Sequence, residues 1–386
     1  MFTVLFLLLL APSVGPLNDL MEVYATPVRS RGFRMTCDMR SDTCSDGRRI
    51  TTVRATPVPC ETSPGVWEMV PEDTGCYSVR GLESWAATTS YLAYGAELDN
   101  PAWSGVAGGT VEVLPDGYRI HPAPGSHNSG VLQRNLDPVS PGGETRTFAC
   151  IVRTHRPAYI RYWFSGSISA SFPVVDTGGR WEVLSATRTL PDTAVPSATI
   201  GNGPASEDPV PFDVAGCWVT KTDTPGRPCW GGEAPVTCAA DRHTISTEGW
   251  PTEAGEISIT WELAETCPPG VSCFVFDGRL SGGDTTSPFH IWINSAGNVT
   301  ISFYSVVFAS IGQQPAPGVL TTVTARRRDG VLEIYRDGTL VTAKAADPFV
   351  WNSESNLGRR FVDATFRPLN GSIRSLRIRS YEEVSP

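Results

Sequence analysis

The chain has 386 residues, with 31 Lys+Arg against 40 Asp+Glu and a formal net charge of −9. Charged residues make up only 18%, and 37 Gly and 32 Pro punctuate the chain too densely for long helices. This excludes helical bundles, coiled coils and multi-span membrane proteins, and the acidic balance argues against broad nucleic-acid binding, which needs basic surface to displace counterions.

Residues 2–11, FTVLFLLLLA, form one apolar run that ends in PSVGP. It is shorter than the roughly 20 residues a helix needs to cross a bilayer, and residues 1–16 read as a secretory leader. The competing reading is a buried strand or hydrophobic tag. No other stretch is long and apolar enough to span a membrane. Ten cysteines follow, none in a Cys-x-x-Cys pair, so zinc ribbons and thioredoxin-like sites lack their signature. Their spacing is local and suggests Cys37–Cys44, Cys60–Cys76, Cys217–Cys229 and Cys267–Cys273, with Cys150 and Cys238 left over. Short closed loops of this kind belong to an oxidising compartment; unpaired buried thiols are the alternative.

Residues 17–80 are polar and rich in tight-turn steps such as Asp-Gly and Pro-Gly. The segment is too small to bury a core alone and is expected to be a stapled strand-and-turn module leaning on the domain after it. From 81 to 235 short apolar runs alternate with Gly- and Pro-rich breaks. TVEVLPDGYRIHP (110–122) has the form of a hairpin, and strands are expected in 146–154, 159–168, 180–190 and 213–222. From 236 to 386 the strands are cleaner: 255–263, 272–280, 289–295, 298–308, 320–328, 330–345 and 371–380. Within 330–345, Asp337-Gly338 between two β-rich runs predicts a type I′ hairpin. The fold class is therefore all-β: two tandem antiparallel β-sandwiches behind a small Cys-rich segment.

Two stretches resemble a known arrangement. GLESWAATTSYLAYGAELDNPAW (81–103), with Asn100 to Trp103 at its end, resembles the opening of a jelly-roll, carbohydrate-binding-like module of phage and prophage tail or virion proteins. TCAADR (237–242) is similar to that module's exit, with Cys238 where Arg is usual. ISITWEL, FHIWINSAGNVTISF, LEIYRDGTLV and GSIRSLRIRS then resemble a concanavalin A-like (laminin G-like) jelly roll. The resemblance covers roughly 81–386 and implies jelly-roll architecture for both sandwiches, in a superfold that hosts lectins, glycanases and inert spacers. The Cys-rich segment and the leader depart from a cytoplasmically assembled virion protein, and no ligand site carries over.

Catalytic signatures are missing. A retaining glycanase needs two carboxylates about 5–5.5 Å apart, and Glu-x-Asp-x-x-Glu does not occur. The nearest pairs are Glu262 with Glu265, at a strand end, and Glu333 with Asp337, which is committed to the hairpin turn. Of the five histidines only His121 and His127 share a loop, and no nucleophile elbow or phosphate loop is present. No catalytic residue, metal site or cofactor is assigned. Structural calcium remains open at the loop acids Asp99, Asp277 and Asp284, with Asn100 and Asp363 nearby.

Sugar binding needs only an exposed aromatic platform and polar groups for hydroxyls. On an alternating strand Tyr159, Arg161 and Trp163 share one face and Ile160, Tyr162 and Phe164 the other. The first row is expected outward with Trp181 near it; ordinary core is the competing reading for these tryptophans. The sequence thus points to a non-enzymatic extracellular or virion-surface protein for adhesion or structure. Its partner would be a glycan or cell-surface polysaccharide, in a virion or trimeric assembly. The alternatives are a secreted concanavalin-like glycoside hydrolase and a purely structural tail-fibre or capsid decoration protein.

Overall fold

The structure is a computed structural model that describes residues 33–126, 129–134, 143–164, 170–189, 197–203, 206–232, 235–278, 289–303, 306–358 and 369–381. The chain is all-β, with strands and turns and no helix among the described residues. Apolar side chains recur with period two along short runs, and Gly, Pro, Asn and Asp end each run before a helix could propagate.

In chain order, the N-terminal stretch supplies β1 (Arg34–Asp38), β2 (Ile50–Val53), β3 (Val58–Ser63), β4 (Val66–Val70), β5 (Tyr77–Ser78), β6 (Gly81–Ser84) and β7 (Thr88–Ser90). The middle stretch supplies β8 (Trp103–Val106), β9 (Thr110–Leu114), β10 (Gly117–His121), β11 (Gly130–Arg134), β12 (Thr145–Arg153), β13 (Ala158–Phe164), β14 (Ala170–Val175), β15 (Glu182–Thr189), β16 (Ser197–Asn202) and β17 (Phe212–Thr220). The C-terminal stretch begins with β18 (Val236–Cys238), β19 (Arg242–Ser246), β20 (Gly255–Leu263), β21 (Cys273–Asp277), β22 (Phe289–Ile293) and β23 (Asn298–Phe303). It ends with β24 (Val306–Gln313), β25 (Thr321–Arg328), β26 (Val331–Arg336), β27 (Thr339–Ala345), β28 (Glu354–Leu357) and β29 (Gly371–Ser380). The run 298–308 is two antiparallel strands, β23 and β24, rather than one. Asp337 and Gly338 both have positive φ, 50° and 81°, as the type I′ turn between β26 and β27 requires.

The middle stretch makes two five-stranded sheets, β15-β12-β17-β10-β9 and β14-β13-β16-β11-β8. Phe148, Val152 and Val214 of the first meet Ile160, Ala198 and Ile200 of the second in one core. Trp103, from the Asn100–Trp103 element, belongs to that core and donates its indole N–H to the Tyr94 carbonyl at 3.0 Å. The C-terminal stretch centres on an eight-stranded sheet, β27-β26-β25-β20-β29-β6-β5 with β1 added on β29, and a seven-stranded sheet, β2-β19-β28-β21-β22-β23-β24. Ile257, Ile259 and Leu376 of one meet Val275, Phe289 and Ile301 of the other.

The N-terminal stretch does not stand apart as a module on its sequence neighbour. β1 pairs with β29, β2 with β19 and β6 with β29, so Met35, Cys37 and Ile50 enter the C-terminal core. A segment too small to bury a core of its own completes another sheet, and β1 covers an edge that β29 would otherwise leave open. The two-stranded hairpin β3–β4 leans on the middle sandwich, where Trp67 packs beside Trp181 and Trp218, and β7 reaches the same sandwich through Ser90, whose hydroxyl accepts from the Val219 N–H.

All ten cysteines are paired. Cys37–Cys44, Cys60–Cys76 and Cys267–Cys273 form as their spacing suggested. The Cys217–Cys229 pair does not form. Cys217 bonds Cys150 and Cys229 bonds Cys238. Cys150 and Cys217 stand opposite each other in the β12–β17 register with Cα atoms 4.0 Å apart, a proximity set by strand pairing and invisible to sequence spacing.

A buried charge cluster ties the N-terminal stretch to the junction between the sandwiches. Asp241 accepts from Arg54 at 3.0 Å, Arg227 at 2.7 Å and the Trp85 backbone N–H at 3.0 Å. Arg54 also donates to the carbonyls of Thr56, Pro71 and Thr74, which brace the base of the β3–β4 hairpin.

Candidate functional site

β12 is buried on both faces. Its inward row fills the middle core; its outward row, Ala149 and Ile151, lies with Trp218 of β17 against a second, smaller cluster. Apolar groups on an outer face need a cover, and three tryptophans from separate parts of the chain provide it. Trp181 precedes β15 and is buried, whereas Trp67 of β4 and Trp230 of the β17–β18 loop are each half-buried. The cover is incomplete. A cleft of about 330 Å³ remains, lined by the three tryptophans together with Glu68, Asp116 and Arg153.

Local sequence explains how each wall arrives. β17 carries a bulge opposite Ile151–Val152, beside Gly216, and bulges re-aim the chain where sites form. Gly216 leaves room for Trp230, since a Cβ there would lie 3.0 Å from two atoms of the indole ring. Trp230 sits 6.0 Å from Trp218, centroid to centroid, and the neighbouring Cys229 is locked to Cys238. On the opposite wall Gly65 turns the β3–β4 hairpin with φ +72°, and the Trp181 backbone nitrogen lies 3.2 Å from where its Cβ would be. Cys60–Cys76 ties this hairpin to the chain after it. The Trp67 indole N–H is buried with no acceptor among the described residues.

Polar groups gather at one end. The Arg153 guanidinium lies over the Trp181 ring at 4.2 Å. It donates to Asp116 at 2.7 and 3.3 Å and to Asp213 at 2.9 Å. Asp213 is fully buried and also accepts from Arg119 at 2.7 Å and His155 at 3.1 Å. Burial works to raise the Asp213 pKa, but hydrogen bonds from Arg119, Arg153 and His155 outweigh it and hold the carboxyl below the usual carboxylate range. The result is a rigid ionic floor beside aromatic walls.

The residues singled out from sequence are dispersed. Tyr159 is 53% exposed and Ile160 is buried, as the alternation of β13 requires. β13 belongs to the other sheet of the middle sandwich, so Tyr159 is not brought to Trp181. The side chains of Arg161 and Trp163 lie outside the described residues. Trp181 lines the cleft as a buried wall beneath Arg153, not as an outward platform beside Tyr159. Trp67 and Trp230 were missed: each stands alone in a turn-rich stretch, and only its disulfide-bonded neighbourhood hinted at a fixed position.

Among the calcium candidates, Asp99 hydrogen-bonds Tyr118, whose phenol is pushed up to about 12 by burial and by that carboxylate. Asp277 is buried against His290 at 2.8 Å. Asp284, Asp363 and His127 lie outside the described residues, as does the leader. His121 pairs with Glu112 at 2.9 Å. No group of three or more metal-ligating side chains occurs among the described residues. Glu262 bonds Ser372 while Glu265 accepts the Gly226 N–H, and Glu333 bonds Tyr335 while Asp337 caps Thr322. Each of these acids thus has its own structural partner.

No family model and no curated protein matches the chain. Among solved structures it is similar to domain 4 of AbnA, a GH43 extracellular arabinanase from Geobacillus stearothermophilus, in complex with arabinotriose. That match has 14% identity over 37% of this chain and 68% of that one, with a TM-score of 0.29. The Ruminococcus gnavus IT-sialidase CBM40 bound to α2,3-sialyllactose is 19% identical over 35% of this chain and 79% of that one, with a TM-score of 0.28. The Emp47p carbohydrate recognition domain is 12% identical over 36% of this chain and 78% of that one, with a TM-score of 0.26. Likenesses this weak decide nothing about what the present chain binds.

Proposed function

We propose that this is a non-catalytic extracellular protein that recognises carbohydrate through the Trp67–Trp181–Trp230 cleft. The observation that carries the reading is the convergence of three tryptophans on one open cleft beside fixed carboxylates. Aromatic faces suit the CH faces of a sugar, and carboxylates accept hydrogen bonds from its hydroxyls. Five disulfides suit a chain that works outside the cytosol. Adhesion or decoration of a virion surface is the setting implied by the sequence resemblance alone.

A glycoside hydrolase is the second reading, because Glu68 and Asp116 line the same cleft. Against it, both oxygens of Asp116 already accept from Arg153, which fixes the carboxylate in place as a structural partner. Affinity electrophoresis against a polysaccharide panel, with reducing ends assayed in parallel, separates the two. Retention that falls about tenfold or more in Trp67→Ala and Trp230→Ala, without sugar release, is the expected result. Release of reducing ends that Glu68→Gln abolishes would replace binding with hydrolysis.

A further inference from the structure

We infer that the cleft selects neutral glycans and rejects sugars bearing carboxylate or sulfate groups. This rests on the glycan reading of the same cleft and adds the class of ligand.

An anionic sugar is held most strongly by a cation with hydrogen-bond donors to offer. Arg153 is the one cationic side chain among the lining residues. Its Nη1 and Nη2 donate to Asp116 and its Nε to Asp213, with Nη2 also 2.8 Å from Asp213. One guanidinium thus faces two carboxylates that take four of its five N–H donors, so a ligand anion could form the two-donor pair that arginine offers only by displacing one of them. Displacing Asp213 would disturb a fully buried charge that Arg119 and His155 also hold. The other charged lining groups, Glu68 and Asp116, are acids. Asp116 is about half exposed and Glu68 is exposed, so both meet an incoming anion as like charges. Arg180 abuts Gly65 at the hairpin tip but does not line the cleft.

A cationic ligand loses the Trp181 face, where the cation–π position is already filled by Arg153, which repels a second positive charge there. A neutral polyol remains, with CH groups against Trp67 and Trp230 and a vicinal diol donating to Asp116 and Glu68.

The test is affinity electrophoresis and calorimetry of the intact, oxidised protein with two sets of probes. The neutral set is arabinan, xylan, mannan and β-glucan; the acidic set is polygalacturonate, hyaluronan and sialyllactose, with choline as a cationic control. At least one neutral glycan is expected to bind, with loss of about tenfold in both Trp67→Ala and Trp230→Ala. Acidic glycans and choline are expected to bind at least tenfold more weakly. Asp116→Ala releases two donors of Arg153 and is expected to raise affinity for acidic glycans about tenfold while weakening the neutral one.

Circular dichroism and a free-thiol assay establish that each variant is folded and oxidised. An acidic glycan or choline that binds as tightly as any neutral one, and is lost in Trp67→Ala, would overturn neutral selectivity but leave the cleft as a binding site. Tight acidic binding that disappears in Arg180→Ser would overturn neutral selectivity in the same way. No retention of any glycan, or retention untouched by both tryptophan variants, would overturn the glycan reading itself.

Discussion

Replacing Asp241 with Ala removes the anion at the centre of the buried cluster. Its carboxylate is inaccessible, and so are the guanidiniums of Arg54 and Arg227 that it neutralises at 3.0 and 2.7 Å. Breaking a buried ion pair from one side costs about 3–5 kcal/mol, because the remaining charge stays buried without its partner. The Trp85 N–H, bonded to the same carboxylate at 3.0 Å, is orphaned as well and adds about 1–3 kcal/mol. Part of this is offset, since Arg54 keeps its backbone carbonyl partners. A net loss of about 4–6 kcal/mol follows, a large share of the 5–15 typical of a whole domain. Urea unfolding followed by tryptophan fluorescence measures it, each transition being fitted separately because two cores are present. The triple variant Arg54→Met/Arg227→Met/Asp241→Leu removes every charge together, leaves the orphaned Trp85 N–H as the main cost, and is expected to lie within about 1–3 kcal/mol of wild type. If Asp241→Ala loses less than about 1 kcal/mol, the cluster does not hold the junction together, and the reasoning about buried charge fails here.

Burial acts to raise the Asp241 pKa, but the charges of Arg227 and Arg54 and the hydrogen bond from Arg54 prevail and hold it low. Its stabilisation is therefore complete above the unfolded carboxylate value near 3.9 and is lost as pH falls through the lower folded value. Arg54 also braces the β3–β4 hairpin, so the same substitution is expected to loosen the Trp67 wall and weaken glycan retention.

Three further outcomes are expected. His243 is buried as a neutral imidazole, with Nε2 donating to the Glu83 carbonyl at 2.8 Å and Nδ1 accepting from Thr52 at 2.9 Å; burial pushes its pKa down. The unfolded chain therefore takes up a proton that the folded one refuses, and stability should fall as pH drops below about 6.5; urea midpoints across this range should show the slope in wild type and a flatter one in His243→Gln. Gly216→Val should cost about 1–3 kcal/mol by overpacking against Trp230 and should cut glycan affinity by displacing that wall, a change visible in titrations and in tryptophan fluorescence. Non-reducing peptide mapping should recover Cys150–Cys217 and Cys229–Cys238. Chain entropy predicts that losing Cys150–Cys217, which spans 67 residues, costs about 4 kcal/mol against about 2 for Cys267–Cys273, which spans 6.

Strand positions were legible in residue order because period-two alternation is a property of neighbouring residues. β20 occupies the stretch its Ile257–Ile259–Trp261 row marks, and Asp337-Gly338 makes the tight turn its dipeptide implies. Three disulfides were legible for the same reason, since each closes a short loop. Which strand lies beside which was not. β1 and β29 meet from opposite ends of the chain, and nothing in RMTCD names GSIRSLRIRS as its partner, because many alternating strands could satisfy the same edge. The Cys150–Cys217 bond depends on that kind of pairing.

The cleft is a further step removed. Trp181 drew notice as a large aromatic beside a strand, but its place as the floor under Arg153 follows from the β12–β17 face and the charges at its end. Trp67 and Trp230 reach it from a hairpin and a loop whose positions are set by disulfides, a bulge and the missing side chain of Gly216. Local chemistry determined that this chain would be built of antiparallel strands and stapled turns. Only tertiary packing decided where three separate tryptophans would converge, because that depends on long-range contacts whose energies no single stretch of sequence contains.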